Sequence, residues 1–408
     1  MMKSRIGVWL IGAQGGVATT TIVGWAALQR GLAHETGLVS ALPLFAHLKP
    51  LPWDRLVFAG HEIRQTRLYD EAMQLVRQSR ALDPSLVEAV RPDLEAVDAR
   101  IRPGTVWQVG PAIEKLASPD VPRETSVRQI IRRLQADLAA FVRAENLEHL
   151  VVVHVASTEP PFEEGLLPSQ WEELEKLLDQ ADCPLPASSL YAIAALDSGH
   201  SYINFTPSLG SRPKAISELA RLRNTRHMGC DGKTGETLLK SVLAPMFAQR
   251  HLKVMSWVGH NIFGNMDGQI LDDPRHKQTK LASKDRLLGE ILGYRPQTHI
   301  SIEYIQSLGD WKTAWDHVHF QGFLGTPMVL QFIWQGCDSL LAAPLVLDLV
   351  RFTELARRRG QTGTLTFLAS FFKSPYETAE HRFDRQYQML ETWAQQVQAA
   401  SPSTQQSL

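Results

Sequence analysis

The sequence contains few cysteines and carries no excess of charge of either sign. Its three cysteines, Cys183, Cys230 and Cys337, are far apart among 408 residues and show no CxxC spacing. They provide neither a disulfide framework nor a zinc site, and this usage is typical of the reducing cytoplasm, where we expect the protein. Lys+Arg 42 balance Asp+Glu 43 for a net charge of −1, so we expect no binding of nucleic acid or of a membrane surface.

Long apolar runs are also missing. No stretch reaches the ~20 apolar residues that a membrane-spanning helix needs. The apolar run of residues 6–11 follows Lys3 and Arg5 as in a signal peptide, but it is short and enters a glycine turn, so we expect a buried first strand instead. The sequence also shows no internal repeat and no low-complexity linker, and its length allows two or three domains with sizeable cores.

A buried strand, a glycine turn and a helix are predicted at the start of the chain. Residues 5–12 read RIGVWLIG, GAQGG follows, and residues 19–32 continue as TTTIVGWAALQRGL. This order places free backbone N–H groups and the positive end of a helix dipole beside a bound phosphate, as in dinucleotide-binding folds. The same stretch resembles the KGGVGKTT loop of some ATPases, although Gln14 and Thr19 replace both lysines. A tight turn without a ligand is the other alternative.

Further strands and helices extend this pattern. Residues 56–60 (LVFAG) and 150–155 (LVVVHV, followed by the block ASTEPP) read as buried strands, and helices are predicted over residues 127–146 and 186–198, before another strand, YINFTPS. This alternation predicts an α/β fold with a doubly wound parallel sheet. Glu62, just beyond the strand of residues 56–60, stands where such folds place an acid on the adenosine ribose. An exposed loop acid is the alternative.

Four polar blocks after Gly229 concentrate carboxylates, amides and lysines. Ammonium groups in such a set can hold a phosphate and stabilise developing oxyanions, which predicts an anionic, oxygen-rich substrate. Taken singly, each lysine could equally be a solvated surface charge. Around the blocks, alternation near residues 300–304 predicts a second, more open sheet, and residues 340–359 predict a long amphipathic helix. The blocks read GCDGKTGETLLKS (229–241), HNIFGNMDG (260–268), TKLASK (279–284) and LGDWK (308–312).

These blocks resemble, in the same order, those of the myo-inositol-phosphate synthase (inositol-3-phosphate synthase) family: G-D-D-x-K-[ST]-G-x-T, N-x-x-G-N-x-D-G, S-K-x-x-S-K and L-G-D-x-K. Flanking blocks extend the resemblance from Gly12 to about Pro375. It implies an α/β fold in which a Rossmann-like doubly wound parallel sheet carries an inserted α+β catalytic and oligomerisation domain. The implied boundaries are 1–236 with 338–400 for the discontinuous NAD-binding domain and 237–337 for the insert. Residues 401–408 are expected to be a disordered tail.

The resemblance also implies an activity, the NAD-dependent, redox-neutral cyclisation of D-glucose 6-phosphate to 1D-myo-inositol 3-phosphate by a homotetramer. NAD+ would oxidise C5, deprotonation at C6 would give an enolate that attacks the C1 aldehyde, and NADH would reduce the ring ketone. Each intermediate develops negative charge on oxygen, which lysines can stabilise. Transferred residue by residue, the implied set is Lys280 and Lys373 for proton transfer and the C5 and C1 oxygens, Lys284 and Lys312 for the phosphate, Asn261, Asn265 and Asp267 for the sugar, and Asp310.

On the cofactor side, the resemblance implies contacts with NAD along the glycine turn and at the ends of the strands. Asp338, one of the implied positions, and Ser339, which follows it, also match a site at which some members hold a monovalent or divalent cation. The implied cofactor residues are Gly12, Ala13, Gln14, Gly15, Gly16, Glu62, Ser157, Thr158, Asn204, Asp231, Thr234 and Asp338.

Departures from the family pattern leave other functions open. They concern the cation site and the fit of the substrate more than the reaction class. An NAD-dependent sugar-phosphate dehydrogenase, which needs no set of lysines, is one alternative, and a non-catalytic NAD-binding regulatory homologue is the other. His317 and His319 could face one side of a strand as metal ligands, but no third ligand is evident. The departures are Cys230, Leu238, Ile262 and Met266.

Overall fold

The structure of the protein, a computed structural model, describes residues 5–163, 165, 167–265 and 287–399. The predicted site residues Asp267, Lys280 and Lys284 and the predicted tail of residues 401–408 lie outside these ranges. Among the described helices, none combines the length and the apolar composition needed to cross a lipid bilayer.

Parallel strands form the first sheet, and helices lie on both of its faces. The strands are β1 (Ile6–Ile11), β2 (Leu56–Glu62), β3 (Ile101–Pro103), β4 (His149–His154), β5 (Ser201–Asn204), β6 (Arg226–Gly229) and β11 (Gly363–Thr364). Their spatial order is β11-β6-β5-β4-β1-β2-β3. The chain runs from β1 outward to β3 and returns to the other side of β1 with β4, which confirms the predicted doubly wound sheet.

The helices give each face of this sheet its own core. Successive side chains of a strand point to opposite faces. Val8 therefore packs on the side of α1 (Gly16–Gln29), α3 (Pro84–Asp98) and α10 (Asp338–Arg358), and Trp9 on the side of α5 (Val127–Glu145) and α7 (Ala187–Asp197). This is why every residue of β1 is buried. The described helices include α1 (Gly16–Gln29), α2 (Leu68–Ser79), α3 (Pro84–Asp98), α4 (Pro111–Glu114), α5 (Val127–Glu145), α6 (Trp171–Leu177), α7 (Ala187–Asp197), α8 (Lys214–Leu222), α9 (Gly235–Gln249), α10 (Asp338–Arg358) and α11 (Phe383–Ala399). All of these except α9 contribute to the two cores.

A second sheet is built from β7 (Lys253–Phe263), β8 (Gln297–Tyr304), β9 (Trp311–Gln321) and β10 (Pro327–Cys337), in the order β10-β9-β7-β8. β8 runs parallel to β7, whereas β9 is antiparallel to β7 and β10. α9 covers the inner face, where Phe247, Trp257 and Val318 form a small core. On the outer face, Val329 and Ile333 are 53% and 69% exposed. The prediction of a second, more open sheet is confirmed.

The prediction of an amphipathic helix over residues 340–359 is wrong in its amphipathic character. The helix is present as α10, but every residue of 346–356 is buried. Two of its polar side chains, Asp348 and Arg351, bond to residues inside the fold. Asp348 accepts the backbone N–H groups of Val39 and Ser40 at 2.6 and 2.9 Å, and Arg351 donates to the hydroxyl of Ser40 at 2.9 Å. The prediction failed because these polar residues, which are buried and hydrogen-bonded within the protein, resemble the solvent-exposed face of an amphipathic helix in the sequence.

Candidate active site

A cavity of about 820 Å³ lies at the carboxyl ends of the parallel strands and reaches the starts of β9 and α10. This edge is where open α/β sheets bind their ligands. Of the predicted residues that the structure describes, four do not line it: Ala13, Gln14, Asn204 and Asn261. The predicted residues that line it are Gly12, Gly15, Gly16, Glu62, Ser157, Thr158, Asp231, Thr234, Asn265, Asp310, Lys312, Asp338, Ser339 and Lys373.

The glycine turn between β1 and α1 permits close approach to its backbone. Gly12 has a φ of +81°, and a Cβ atom on it would lie 2.7 Å from the Cα of Ala156. A Cβ atom on Gly15 would approach only the carbonyl oxygen of Gly12, at 3.3 Å. α1 begins at Gly16, so the N–H groups of its first turn have no partner within the helix. Such a turn suits an anionic group such as a pyrophosphate.

Glu62 is hydrogen-bonded to the backbone of the glycine turn. It is the last residue of β2 and is 7% exposed, so the alternative of an exposed loop acid is wrong. Its carboxylate accepts the backbone N–H groups of Gln14 at 3.0 Å, Ile63 at 2.8 Å and Arg64 at 3.1 Å. The side chain of Gln14 donates to Asp98 at 2.8 Å, which takes it out of the cavity lining. Glu62 thus organises the turn in addition to lining the cavity.

Asn204, at the end of β5, is engaged within the protein. It is fully buried, and its amide donates to the carbonyl oxygen of Ser208 at 2.6 Å and to the hydroxyl of Tyr376 at 3.1 Å. Its amide oxygen accepts the backbone N–H of Thr206 at 3.1 Å. With these bonds made, Asn204 shapes the loop after β5, and the structure does not place it against the cavity.

Lys373 reaches the cavity from near the end of the chain. Residues 371–376 run beside residues 229–233, and the backbone N–H of Lys373 donates to the carbonyl oxygen of Asp231 at 2.7 Å. Nζ of Lys373 lies 2.8 Å from Oδ1 of Asp231. The side chains of the pair are 20% and 13% exposed, so the ammonium is partly shielded and is oriented by its partner.

Lys312 lies near the start of β9, opposite Gly336 of β10. Its Nζ atom is 3.5 Å from Oδ2 of Asp338, the first residue of α10, and 5.0 Å from the ring centroid of Phe263. Both charged side chains of this ion pair are 24% exposed, so both can be reached from the cavity that they line.

Asp310 is buried, although it was predicted among the catalytic residues from the LGDWK block. It is 5% exposed, and its carboxylate accepts the N–H of Ser339 at 2.9 Å, the hydroxyl of Ser339 at 2.8 Å and the thiol of Cys337 at 2.7 Å. Burial raises the pKa of Asp310, and these hydrogen bonds oppose the shift. Asp310 therefore ties the start of β9 to the start of α10.

The two asparagines of the HNIFGNMDG block occupy different places. Asn265 lines the cavity. Asn261 is fully buried on the inner face of β7, between Gly259 and Phe263 on that face, and within the described ranges its amide makes no hydrogen bond. An unpaired buried amide is costly, so this position is suited to a polar group supplied by a ligand or by another part of the chain.

Two buried titratable residues beside the cavity are absent from the predicted set. Lys233 is 3% exposed and donates to Oε1 of Gln386 on α11. Burial, with the nearby charge of Lys373, lowers its pKa to about 7. Glu159 lines the cavity and accepts the N–H of Ser188 at 2.7 Å, and burial raises its pKa to about 7. Both belong to quoted blocks, GCDGKTG and ASTEPP, but nothing in the sequence indicates their burial.

No metal centre is found in the part of the chain that the structure describes, since no three His, Cys, Asp or Glu side chains there are grouped to hold an ion. His317 and His319, predicted as a possible ligand pair, lie on the outer face of β9, opposite Gln331 and Val329 of β10. They are thus on the side of the second sheet that α9 does not cover.

Comparisons with known proteins add to this geometry. An NAD-binding family model described as myo-inositol-1-phosphate synthase matches residues 39–395. Inositol-3-phosphate synthase 1 of Bacteroides thetaiotaomicron is 33% identical over 402 residues, covering 93% of this chain and 91% of that protein. Inositol-3-phosphate synthase 1 of Mus musculus is 31% identical over 363 residues, covering 84% of this chain but 64% of the mouse protein. The solved structure of the Caenorhabditis elegans inositol-3-phosphate synthase has the same fold, with a TM-score of 0.86 at 24% identity, covering 97% of this chain and 86% of that one.

Proposed function

Because the chain belongs to the myo-inositol-1-phosphate synthase family, we propose that it is an inositol-3-phosphate synthase, which cyclises D-glucose 6-phosphate to 1D-myo-inositol 3-phosphate with NAD. The observation that carries the proposal is the meeting of the glycine turn, Lys312 and Lys373 in one cavity. A nucleotide site alone needs the turn but no ammonium groups. Ammonium groups suit a reaction whose intermediates bear negative charge on oxygen.

The residues present fit NAD. The open side of Gly15 and the N–H groups at the start of α1, which have no partner within the helix, suit the pyrophosphate. We assign Gly15, Gly16, Ser157, Thr158 and Thr234 to the same ligand, because all of them line the cavity. Bound there, NAD would supply reversible hydride transfer at C5 of the sugar.

Lys373 and Lys312 provide the chain's own contribution to the chemistry. Lys373, oriented by Asp231, would donate a hydrogen bond to the oxyanion at C5 or C1 and move a proton there. Lys312 would hold the phosphate with its ammonium group, which lies beside Asp338 at the cavity wall. Held at both ends, the sugar chain is kept close to the cofactor while the ring closes.

The remaining substrate residues of the proposal come from the family resemblance. Lys280 is assigned a second proton-transfer role and Lys284 a second phosphate contact, and Asp267 is assigned to the sugar. All three lie outside the described residues. Asn265, which lines the cavity, and the buried Asn261 are assigned to the sugar hydroxyls.

A cation at Asp338 and Ser339 remains a hypothesis within this proposal. The hydroxyl of Ser339 donates to Asp310, and Asp338 faces the ammonium of Lys312. Lys312 therefore already provides positive charge beside Asp338. If a cation is required, activity lost on dialysis against EDTA and a sodium buffer should return with added Mg²⁺ or K⁺.

The proposed domain division follows the two sheets. We assign residues 1–236 and 338–400 to an NAD-binding domain and residues 237–337 to a catalytic and oligomerisation domain. The division is supported by β11, which follows the second sheet in the chain and returns to the edge of the first sheet. It is also supported by α10, which packs in the same core as α1.

We also propose that the protein forms a homotetramer and is located in the cytoplasm. The outer face of the second sheet exposes Val329 and Ile333, and Phe323 at the turn between β9 and β10 is 87% exposed. Exposed apolar side chains grouped in this way are typical of protein–protein interfaces. The low cysteine content supports the cytoplasmic location.

Product analysis tests the proposal. The purified protein is incubated with D-glucose 6-phosphate and NAD+, and the products are identified by NMR, with Lys373→Met as the matched negative variant. We expect a cyclitol phosphate from the wild type only. A ketone with NADH would instead indicate a sugar-phosphate dehydrogenase, and binding of NAD without any turnover would indicate a regulatory homologue.

A further inference from the structure

Asp310 lies where β9 meets α2 and α10. Its backbone N–H donates to Oγ of Ser79, the last residue of α2, at 2.8 Å, and its carbonyl oxygen accepts the N–H of Asp338 at 3.1 Å. Gly309, just before it, has a φ of +56°, and a Cβ atom there would lie 2.7 Å from Oγ of Ser79. The start of β9 is therefore held closely against both helices.

The carboxylate of Asp310 is engaged by protein donors on both oxygens. Oδ1 accepts the hydroxyl of Ser339, and Oδ2 accepts the N–H of Ser339 and the thiol of Cys337. The N–H of Ser339 belongs to the first turn of α10, whose N–H groups have no partner within the helix. Asp310 thus caps α10 from 29 residues away. A carboxylate used in this way is poorly placed to accept a proton from a substrate.

The capped end of α10 is connected back to β9. Asp338, the residue before Ser339, faces Nζ of Lys312 at 3.5 Å, and Lys312 follows Asp310 by two residues on the same segment. Asp310, Ser339, Asp338 and Lys312 therefore form a closed ring of bonded or neighbouring residues. The ring restricts the positions that the ammonium of Lys312 can take.

The ring also touches the glycine turn. A Cβ atom on Gly16 would lie 2.7 Å from Oγ of Ser339 and 3.9 Å from Oδ1 of Asp310. Thr20, on the next turn of α1, donates its hydroxyl to the carbonyl oxygen of Ser339 at 3.0 Å. The starts of α1 and α10 are thus in direct contact, and the position of Lys312 is tied to that of the turn.

We propose that Asp310 is a positioning residue, which does not touch the sugar phosphate and acts by holding Lys312 in register with the glycine turn. This inference rests on the proposed function, because it concerns how that reaction is aligned. Displacement of a reacting or binding group by about 1 Å lowers rates steeply. Loss of the Asp310 carboxylate should therefore lower kcat/KM for the sugar phosphate, as loss of Lys312 itself would.

A double-mutant cycle of Asp310→Asn and Lys312→Gln tests this role, with the cyclitol phosphate measured in single turnovers at excess enzyme. The asparagine keeps the shape but directs an N–H donor at the donors of Ser339 or Cys337. We expect Asp310→Asn to lower kcat/KM for D-glucose 6-phosphate about 10- to 100-fold, with the KM for NAD within about threefold of wild type. A kcat/KM for D-glucose 6-phosphate that stays at the wild-type value would overturn the proposal.

The double variant gives the decisive comparison. If Asp310 acts through Lys312, the double variant should react at the rate of Lys312→Gln alone. If the rate losses of the two single variants instead multiply in the double variant, Asp310 acts independently of Lys312, and the proposal would be overturned. The pH profile of kcat is a second readout. Asp310→Asn should keep both limbs of the profile at lower height, whereas loss of a limb would assign Asp310 a proton-transfer role.

Asp83→Asn is the matched control. Asp83 caps α3 through the same two groups of a serine, the N–H and hydroxyl of Ser85, at 2.8 and 2.6 Å, but it is exposed and does not line the cavity. It should lower stability slightly and leave the rate unchanged. If Asp310→Asn does not fold, Ser339→Ala replaces it in the cycle with the same expectations. A wild type that forms no cyclitol phosphate contradicts the proposed function, whereas an active wild type with multiplying losses overturns only the role of Asp310.

Discussion

Nζ of Lys373 lies 2.8 Å from Oδ1 of Asp231, and this ion pair joins segments 142 positions apart in the chain. Asp231 has a φ of +63°, a left-handed conformation that costs an aspartate little compared with a branched residue. The backbones of the two residues are also bonded, at 2.7 Å. A lysine that is distant in sequence from the other residues of the cavity thus completes the candidate active site. Substitutions of such cavity residues can test whether a side chain is needed for the reaction or only for folding.

Lys373→Met should abolish most turnover and leave the protein folded. The substitution keeps an aliphatic side chain and removes the group that meets the oxyanion, so we expect a loss of about 3 kcal/mol in transition-state stabilisation, on the order of 100-fold in rate. NAD binding should stay close to wild type. Lys176→Met, at a side chain 69% exposed on α6, is the control and should have the wild-type rate. Equal rates for Lys373→Met and wild type would remove Lys373 from the chemistry.

Lys312→Ala and Lys280→Ala should behave alike, since both remove an ammonium assigned to the phosphate or to an oxyanion. Each should lose on the order of 3 kcal/mol or more of transition-state stabilisation and keep the melting temperature within a few degrees. Steady-state kinetics, calorimetric melting and NAD titration of the same samples measure the three properties. Near-wild-type rates in both variants would show that neither lysine takes part in the reaction.

Gly15→Val should weaken NAD binding without disturbing the fold. Gly15 has a φ of −69° and ψ of 166°, which valine adopts, and its Cβ would approach only the carbonyl oxygen of Gly12. A side chain there stands between the turn and the pyrophosphate. Gly16 is a less informative position, because its Cβ would collide with Ser339 even without ligand.

Gly24→Ala, in the helix that follows the turn, is the control for Gly15→Val, since its Cβ would meet nothing within 4 Å. It should bind NAD as tightly as wild type and be slightly more stable. Tryptophan fluorescence titration gives the dissociation constants. An unchanged constant for Gly15→Val would place the cofactor elsewhere.

The stability of the protein should rise with pH above neutrality because of Lys233. Burial first, and the charge of Lys373 second, lower its pKa from 10.5 to about 7. Between pH 7 and about 10 the unfolded chain holds a proton that folded Lys233 has lost, so the free energy of unfolding increases with pH, by about 1.4 kcal/mol per unit at most. Below pH 7 both states hold the proton, and this contribution no longer changes.

Urea unfolding of wild type and Lys233→Met at pH 7, 8 and 9 isolates that contribution. The other titrating groups are common to both proteins, so the difference between the two curves reports Lys233. We expect the wild-type free energy of unfolding to gain on that of Lys233→Met as the pH rises. A difference that is independent of pH would show that the buried ammonium is not destabilised.

Ile333→Glu should break the proposed oligomer. Ile333 is 69% exposed on the outer face of the second sheet, and a carboxylate there would be buried without a partner when copies meet. Light scattering at micromolar concentration should show a tetramer for the wild type and smaller species for the variant. Leu222→Glu, at a leucine 57% exposed at the end of α8, is the control and should remain tetrameric. A monomeric wild type would contradict the tetramer.

The features that could be predicted from the sequence are those whose cause is local. β1, the glycine turn and α1 follow one another within 25 residues, and buried apolar strands alternate with helices over the first half of the chain. The positions of Gly12 and Gly15 could be predicted for the same reason, since a strand that enters a glycine-rich helix start has few possible geometries.

The features that could not be predicted depend on contacts between distant residues. From the sequence, Asp310 looks like a polar residue on an extended segment. In the structure, Ser339, 29 residues later, donates hydrogen bonds to both carboxylate oxygens of Asp310. Asn204 looks like a ligand contact, yet its amide is bonded to Tyr376, 172 positions away. Lys233 is buried because α11 packs over it, and the GCDGKTG block around Lys233 contains nothing that predicts this contact.

The redox balance of the reaction tests the central claim most directly. A synthase keeps the oxidised sugar bound until its hydride is returned, so NAD+ is regenerated in every cycle, whereas a dehydrogenase releases a ketone and NADH. With D-glucose 6-phosphate in large excess over NAD+, we expect many turnovers of cyclised product per NAD+ and no steady rise in the absorbance of NADH. Stoichiometric NADH with an uncyclised keto product would contradict the synthase assignment, while leaving the fold and the nucleotide site as described.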